Sequence, residues 1–407
     1  MEYGLLGEKL GHSFSPRIHR ALAGYDYRLR PTPPEEVESL FRRRDFKGLN
    51  VTIPYKRTAI PLCDEIDPRA AAIGAVNTVV NRSGRLTGYN TDLDGLIYLA
   101  KRAGVEMAGK KVVVLGSGGT SRTARAAAKE LGAKEIVVIS RKGENNYENI
   151  SRHADAGVLI NTTPVGMYPN CGAAPVRLDA FPRLTGVLDV VYNPLRTALA
   201  MEAEARGIPC SCGLPMLVAQ AKRAAELFTG ENIPDNRLEM VISDLTAQVR
   251  NIVLIGMPGS GKSTIGRHLA RRLGKEFIDV DRLIVEEARR PIPQIFAEEG
   301  EGGFRKLESR ITREAGARTG CVISTGGGVV TRDENYPPLH QNGVIVHITR
   351  NLDLLPKDGR PISQSTDLYE LWAKRQLMYL AFADFEADND GSIEDTVEII
   401  IKELETH

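Results

Sequence analysis

The sequence is poor in cysteine and has no long apolar run. Five cysteines occur in 407 residues, an odd number at irregular spacing, which does not indicate a disulfide framework. Cys210 and Cys212 form the only close pair, and a single intervening residue without clustered histidines does not fit a zinc site. No apolar run approaches the ~18 residues that span a bilayer, and the N-terminus lacks the basic and apolar segments of a signal peptide. We therefore expect a reduced, cytoplasmic protein without a membrane span.

Charge of one sign is not in excess either. The chain carries 53 Lys and Arg against 52 Asp and Glu, a formal net charge of +1. Binding to nucleic acid or to an anionic membrane usually requires a large basic surplus, so we expect neither partner. Hydrophobic residues make up 42% and charged residues 26%, which is typical of a globular protein. At roughly 150 residues per domain, the length predicts two or three folding units.

From about residue 110 the chain alternates short β-branched runs with longer helical stretches. Strands are predicted at 110–115, 135–140, 157–161 and 186–191, with a helix through 122–131. This alternation predicts βαβ units, and hence a parallel sheet covered by helices.

The parts of the chain before and after this region differ from it in the spacing of their turn residues. The first hundred residues, with strands expected at 51–53 and 76–80, resemble a separate α/β unit. Helices are predicted at 216–228 and 235–249, and a new strand–helix cycle begins at 251–255. No Gly/Ser-rich or Pro-rich linker separates these parts. We expect an α/β chain with a tight boundary near residue 250.

The strand at 251–255 leads into a full G-x-x-x-x-G-K-[ST] motif from Gly256 to Thr264. Glycines here let successive backbone N–H groups converge on phosphate oxygens, and the dipole of the following helix favours the same anion. Lys262 would reach the β- and γ-phosphates and Ser263 would ligate Mg²⁺, which predicts ATP and Mg²⁺ as ligands. The alternative is a chance glycine-rich turn. The predicted ATP-binding residues of the loop are Gly259, Ser260, Gly261, Lys262, Ser263 and Thr264.

More motifs follow this loop, and together they carry a resemblance. In order and spacing they resemble the shikimate kinase family over residues 250–407, which implies a P-loop kinase domain with a parallel sheet. The motifs are Phe277-Ile-Asp-Val-Asp281, Gly300-Glu-Gly-Gly-Phe-Arg305, Ser324-Thr-Gly-Gly-Gly328, Gly359-Arg-Pro361 and Lys374-Arg375. We expect the first motif to end a strand and the second, which is rich in glycine, to open a helix.

The resemblance also implies roles for single residues. Asp281 would bind the ring hydroxyls of the acceptor, and Asp279 would help Ser263 hold Mg²⁺. Arg305 and Arg375 would clamp the substrate carboxylate, which a guanidinium can bind through two parallel hydrogen bonds. The backbone at Gly326, Gly327 and Gly328 would line the same pocket. For each arginine taken alone, a solvated helix face is the alternative.

Arg360 would lie on a lid over the phosphates and would complete the catalytic set with Lys262 and Asp281. The segment entering this lid, 352–358, is shorter than is usual in the family, and Pro356 interrupts the helix expected there. This departure concerns the adenine contacts and the lid more than the acceptor pocket.

Residues 116–121, Gly-Ser-Gly-Gly-Thr-Ser, form a glycine-rich turn between a strand and a helix. Ser121 occupies the place of the third glycine of the dinucleotide-binding motif, so the turn alone is a weak signal. The next strand ends in Ser140, Arg141 and Lys142, with no acidic residue. Cations at this point favour the 2′-phosphate of NADP over the free hydroxyl of NAD. The alternative is a pair of surface cations.

A second series of motifs carries another resemblance, to the shikimate dehydrogenase family, over residues 1–248. It implies a two-lobed dehydrogenase, with an α/β substrate domain and a Rossmann-like NADP domain. Ser117 and Ser140 depart from the commoner family residues, Ala and Asn. The motifs are Gly11-His-Ser-Phe-Ser-Pro16, Asn50-Val-Thr-Ile-Pro-Tyr-Lys56, Gly74-Ala-Val-Asn-Thr78, Tyr89-Asn-Thr-Asp92, Asn161-Thr-Thr-Pro-Val-Gly-Met167, Asp189-Val-Val-Tyr-Asn-Pro194 and Gly213-Leu-Pro-Met-Leu-Val-Ala-Gln220.

Reduction of a ketone leaves an alkoxide that must gain a proton, so a proton donor has to lie beside that oxygen. Lys56 and Asp92 are the candidates, although each alone could be a surface charge, and the resemblance assigns both to catalysis. It further implies that the hydroxyls of Ser13, Ser15 and Tyr192 bind the substrate carboxylate. The residues implied for the ring hydroxyls are Thr52, Asn77 and Gln220. The implied NADP-binding residues are Gly116, Ser117, Gly118, Gly119, Thr120, Ser140, Arg141, Lys142, Thr162 and Gly213.

The two resemblances predict a bifunctional enzyme that reduces 3-dehydroshikimate with NADPH and phosphorylates the shikimate formed. We expect a substrate domain at 1–95 completed by helices at 213–248, an NADP domain at 96–212 and a kinase domain at 250–407. A catabolic quinate/shikimate dehydrogenase using NAD, and a degenerate kinase half that regulates its neighbour, are the alternatives. The sequence leaves a homo-oligomer open.

Overall fold

A computed structural model describes residues 2–11, 13–355 and 367–406. The chain divides into two compact units. The first comprises Met1–Met167, Ala173–Asn193 and Leu199–Leu245. The second comprises Tyr168–Gly172, Pro194–Ala198 and Thr246–His407.

The first unit contains two sheets. The N-terminal sheet is mixed, with strand order β2-β1-β3-β5-β6-β4. Its strands are β1 Tyr3–Gly7, β2 Tyr27–Pro31, β3 Gly48–Val51, β4 Glu65–Ile66, β5 Thr78–Arg82 and β6 Arg85–Tyr89. The following sheet is parallel throughout, with order β11-β10-β9-β7-β8. Its strands are β7 Lys111–Leu115, β8 Glu135–Ile139, β9 Val158–Asn161, β10 Gly186–Asp189 and β11 Cys210–Ser211.

The helices of the first unit cover these sheets with apolar faces. They are α1 Ser15–Ala23, α2 Pro34–Arg43, α3 Pro68–Ile73, α4 Asp92–Arg102, α5 Gly119–Glu130, α6 Ala198–Ala205, α7 Leu214–Thr229 and α8 Asp235–Val249. Close packing of α7 on α4 depends on Gly95, where a Cβ atom would lie 2.7 Å from the carbonyl oxygen of Met216. Helix α7 therefore packs closely against α4.

The second unit has one parallel sheet of order β13-β14-β12-β15-β16. Its strands are β12 Asn251–Ile255, β13 Glu276–Asp279, β14 Cys321–Ser324, β15 Gly343–Thr349 and β16 Phe385–Asp388. Its helices are α9 Lys262–Leu273, α10 Val280–Ala288, α11 Ile292–Gly316, α12 Tyr336–His340, α13 Leu368–Phe382 and α14 Ile393–Leu404. Apolar side chains of the strands form a buried layer on each face of this sheet.

The α/β class and the parallel sheets are confirmed, whereas some element bounds differ. The strand predicted at 51–53 is wrong beyond Val51: β3 ends there, and Ile53 is 77% exposed in a turn. Asp281 does not end a strand but lies in the first turn of α10, because the Asp279 carboxylate caps that helix. A helix does begin at the predicted glycine-rich stretch, where Gly300 (φ 68°) breaks α11 into two parts. None of the five cysteines, all of which are described, forms a disulfide bond, and no described helix has the length and apolar character to cross a membrane.

Two candidate active sites

The first site is a cavity of about 280 Å³ in the first unit. Its floor carries a lysine–carboxylate pair: Lys56 Nζ donates to Asp92 Oδ2 at 2.5 Å, with side chains 27% and 17% exposed. Asn77 Nδ2 donates to the other oxygen, Asp92 Oδ1, at 2.9 Å. Asn77 is itself fixed by the backbone N–H of Thr91, which donates to its Oδ1 at 2.7 Å. The carboxylate is thus held on both oxygens and orients the ammonium group.

Segments that flank three strands of one sheet supply this pair and the asparagine that supports it. Lys56 follows β3, Asn77 precedes β5, and Asp92 begins α4 just after β6. Because β5 pairs with both β3 and β6, the ends of these segments are neighbours. The structure brings all eight sequence-predicted substrate residues to the cavity: Ser13, Ser15, Thr52, Lys56, Asn77, Asp92, Tyr192 and Gln220.

The opposite wall of this cavity comes from the dinucleotide lobe. Of the predicted NADP residues, Thr120 at the start of α5 and Gly213 before α7 line it. Gly213 permits a close approach, since a Cβ atom there would lie 2.1 Å from the carbonyl oxygen of Val190. The cavity also contains Leu5, Asn50 and Met216, which the sequence analysis did not single out.

The glycine turn connects β7 with the N-terminus of α5 at the carboxyl edge of the parallel sheet. Gly116 has φ 99°, and a Cβ atom there would lie 3.0 Å from Thr162 Oγ1, so glycine suits this turn. Arg141 follows the neighbouring strand β8 by two residues, and Leu115 pairs with Ile139. Within the part of the chain described, Arg141 and Lys142 are exposed and make no hydrogen bond or ion pair, so both can contact an anion.

The second site is a cavity of about 540 Å³ at the carboxyl edge of the sheet in the second unit. The phosphate loop forms one wall through Pro258, Gly259 and Gly261 to Thr264. Lys262 Nζ donates to the carbonyl oxygens of Gly256 and Met257, each at 2.9 Å. Ser260 does not line the cavity: its side chain is buried, and its carbonyl accepts from Asn389 Nδ2 at 2.7 Å.

Ser263 and Asp279, the two residues predicted to hold Mg²⁺, lie next to each other in the structure. Ser263 Oγ donates to Asp279 Oδ2 at 2.8 Å and lies 3.1 Å from Ser324 Oγ. In the described residues, no group of three or more His, Cys, Asp and Glu side chains is arranged to hold a metal. A hydroxyl and a carboxylate fit Mg²⁺, which usually takes one or two protein oxygens and completes its shell with phosphates and water.

The acceptor wall of the cavity consists of α10, α11, α13 and the turn after β14. All the predicted acceptor residues line it, namely Asp281, Arg305, Gly326, Gly327, Gly328 and Arg375. Arg375 Nη1 donates to the carbonyl of Gly327 at 3.1 Å. A Cβ atom at Gly328 would lie 2.2 Å from both terminal nitrogens of Arg305, so the guanidinium lies directly on this glycine. Arg360, the remaining catalytic and ATP-binding prediction, lies outside the described residues.

Glu308 is a site residue that the sequence analysis missed. It is fully buried, and its Oε2 accepts from Arg305 Nη1 at 2.6 Å. Its Oε1 has no hydrogen-bond partner among the described residues and lies 2.7 Å from where a Cβ atom of Gly326 would be. Burial raises the pKa of this carboxyl, and the Arg305 charge opposes that rise. The i, i+3 spacing from Arg305 on one helix was the available signal.

Known proteins match both parts of the chain. The family model "Shikimate dehydrogenase substrate binding domain" matches residues 5–79, and the model "Shikimate kinase" matches residues 258–405. A Clostridium perfringens protein named shikimate dehydrogenase (NADP(+)) is 34% identical over 270 residues, which cover 60% of this chain and 97% of that protein.

Solved structures of dehydrogenases also match 60% of this chain. A Thermus thermophilus shikimate 5-dehydrogenase in complex with NADP(H) and shikimate is 32% identical, with a TM-score of 0.55 over 60% of this chain and 99% of that one. A Corynebacterium glutamicum quinate dehydrogenase in complex with NAD is 28% identical, with the same TM-score and coverage. The chain therefore belongs to the shikimate dehydrogenase family and carries a shikimate kinase domain at its C-terminal end.

Proposed function

We propose that this chain catalyses two consecutive reactions, the NADPH-dependent reduction of 3-dehydroshikimate and the ATP-dependent phosphorylation of the shikimate produced. The observation that carries this proposal is the presence in one chain of two separate cavities. The first is lined by all eight residues predicted for the dehydrogenase substrate, and the second by Lys262, Ser263 and the six residues predicted for the kinase acceptor. The first reaction turns a carbonyl group into a hydroxyl group, and the second reaction phosphorylates that same hydroxyl. This gives the two halves a chemical reason to share a chain.

In the first reaction, Lys56 Nζ donates the proton that the reduced carbonyl oxygen requires. Asp92 aims the ammonium group at that oxygen through their 2.5 Å contact. Bound NADPH supplies the hydride, and its 2′-phosphate is assigned to Arg141 and Lys142. The hydroxyls of Ser13, Ser15 and Tyr192 are assigned to the substrate carboxylate, and Thr52, Asn77 and Gln220 to its ring hydroxyls.

In the second reaction, Lys262 and the backbone N–H groups at the start of α9 stabilise charge on the transferred phosphoryl group. Ser263 and Asp279 would hold Mg²⁺, and the bound ion would neutralise charge on the phosphate oxygens. Asp281 orients the attacking hydroxyl, and Arg305 and Arg375 bind the acceptor carboxylate. Glu308 fixes Arg305 in that role, because it accepts from Nη1 at 2.6 Å inside the helix layer.

The domain division stays part of the proposal. A substrate domain at 1–95 with helices at 213–248, an NADP domain at 96–212 and a kinase domain at 250–407 agree with the three separate sheets. A cytoplasmic location, where NADPH and ATP are available, is also part of this proposal.

A coupled assay of the purified chain tests the proposal. With 3-dehydroshikimate, NADPH, ATP and Mg²⁺, we expect NADPH oxidation together with formation of a phosphate ester that mass spectrometry detects. Lys262→Ala should abolish ester formation and spare NADPH oxidation, while Lys56→Ala should abolish NADPH oxidation and spare phosphorylation of added shikimate. Loss of both reactions in either variant would contradict two autonomous sites.

A further inference from the structure

Arg350 lies at the nucleotide side of the second cavity, although no motif of the sequence identified it. It directly follows β15, the strand that pairs with β12 and places His347 opposite Ile255. A Cβ atom at Gly256, the first residue of the phosphate loop, would lie 2.5 Å from the carbonyl oxygen of Ile348. The end of β15 thus touches the beginning of the phosphate loop, and Arg350 lines the same cavity as that loop.

The backbone around Arg350 is fixed by hydrogen bonds. The N–H of Asn351 donates to Asp390 Oδ1 at 2.7 Å. The N–H of Asn389 donates to the carbonyl of Thr349 at 3.0 Å. The side chain of the same Asn389 donates to the carbonyl of Ser260 at 2.7 Å. Asn389 therefore connects the end of β15 to the phosphate loop, and the arginine extends from a rigid base.

Arg350 differs from the other cations of this cavity in its contacts. Arg305 donates to Glu308, Arg375 donates to the carbonyl of Gly327, and Lys262 donates to two loop carbonyls. Arg350 makes no side-chain hydrogen bond or ion pair with any described residue, and its Nε atom is buried without a partner. A buried guanidinium N–H group without an acceptor is costly, and an anion in the cavity would remove that cost.

The strand order indicates which anion would bind Arg350. Asp281 follows β13 and Gly326–Gly328 follow β14, on one side of the phosphate-loop strand β12. Arg375 is on α13, which follows β15, but it donates to the carbonyl of Gly327 and so meets the acceptor residues at the turn after β14. Arg350 follows β15, on the other side of β12. An anion that reaches Arg350 from the phosphate loop is consequently the nucleotide and not the acceptor acid.

We propose that Arg350 binds phosphate oxygens of the nucleoside triphosphate and of the diphosphate product, an inference that rests on the proposed kinase function. Its planar guanidinium can donate two parallel hydrogen bonds to neighbouring phosphate oxygens, which an ammonium group cannot reproduce. Because it extends from a fixed strand end, it binds the nucleotide whether or not the acceptor is present.

Calorimetric titration of the full-length chain with MgADP, without shikimate, tests this inference. Arg350→Met should weaken ADP binding at least tenfold, and Arg350→Lys should recover only part of the loss. Arg272→Met is the matched control, because Arg272 is 63% exposed and pairs with Glu398 at the surface. It should bind ADP like the wild type. The KM for shikimate and the rate of NADPH oxidation should stay within twofold in all three variants.

Equal ADP affinity of wild type and Arg350→Met would overturn the inference, and so would a rise in the shikimate KM without a change in ADP binding. A wild-type chain that binds MgADP but phosphorylates no shikimate would instead overturn the proposed acceptor. The ADP titration would still decide the role of Arg350 in that case.

Discussion

The contact between Gly328 and Arg305 yields a sharp prediction for one of the two activities. An alanine at 328 would place its Cβ 2.2 Å from both terminal nitrogens of Arg305. Carbon–nitrogen contacts normally exceed about 3.4 Å, so the guanidinium must retreat by about 1 Å. It cannot do so freely, because its side chain is 6% exposed and bound to the buried Glu308.

The expected change in the shikimate KM follows from the hydrogen bond between Arg305 and the acceptor carboxylate, which this retreat would break. A hydrogen bond between charged groups contributes about 1.5–3 kcal/mol, which corresponds to roughly a 10- to 150-fold change in affinity. We expect Gly328→Ala to raise the shikimate KM of the kinase reaction within that range, since Arg305 no longer reaches the acceptor carboxylate. The KM for ATP should change less than twofold, because the phosphate loop is untouched.

The assay couples ADP release to NADH oxidation, with shikimate varied at saturating ATP for one KM and ATP varied at saturating shikimate for the other. Gly302→Ala is the matched control: a Cβ atom there meets nothing within 4 Å, so kinase constants should not change. The dehydrogenase rate of both variants serves as an internal reference for enzyme concentration. A shikimate KM within twofold of the wild type in Gly328→Ala, or an equal rise in both KM values, would refute the reasoning.

Three other predictions concern the dehydrogenase unit. Asp92→Asn should lower kcat for ketone reduction by about 10²-fold or more, because Lys56 loses the charge that orients it, while the kinase rate in the same preparation stays unchanged. Arg141→Ala should raise the KM for NADP about tenfold and leave the KM for NAD unchanged, and an equal effect on both would count against the 2′-phosphate contact. Burial lowers the pKa of His19 from 6.5 to about 3, so below pH 6.5 only the unfolded chain takes up this proton. The free energy of unfolding should therefore fall as the pH is lowered from 6.5, by about 2 kcal/mol at pH 5. Urea unfolding of His19→Gln should show a correspondingly smaller dependence on pH.

The phosphate loop and the parallel sheets were predictable from local sequence. A phosphate loop needs a strand, a glycine-rich turn and a helix that are adjacent in the chain, so Gly256 to Thr264 could be interpreted without a fold. The parallel sheets followed from alternation of strands and helices for the same local reason. Element bounds were less certain: β3 ends at Val51, and the Asp279 cap sets the start of α10.

Local sequence determined which residue types this chain has and the order in which they occur, and tertiary packing decided which of them meet. Ser13 and Gln220 line one cavity because α7 packs against α4, an approach that no local pattern encodes. Glycine at position 95 permits it, since a Cβ atom there would lie 2.7 Å from the carbonyl oxygen of Met216. The same holds for Glu308, whose orphaned oxygen results from burial beneath Gly326. Arg350 follows an ordinary strand in the sequence, and only the strand order β14-β12-β15 places it beside the phosphate loop. Contacts of this kind depend on which strands become neighbours, and that is fixed by burial of apolar faces over the whole domain.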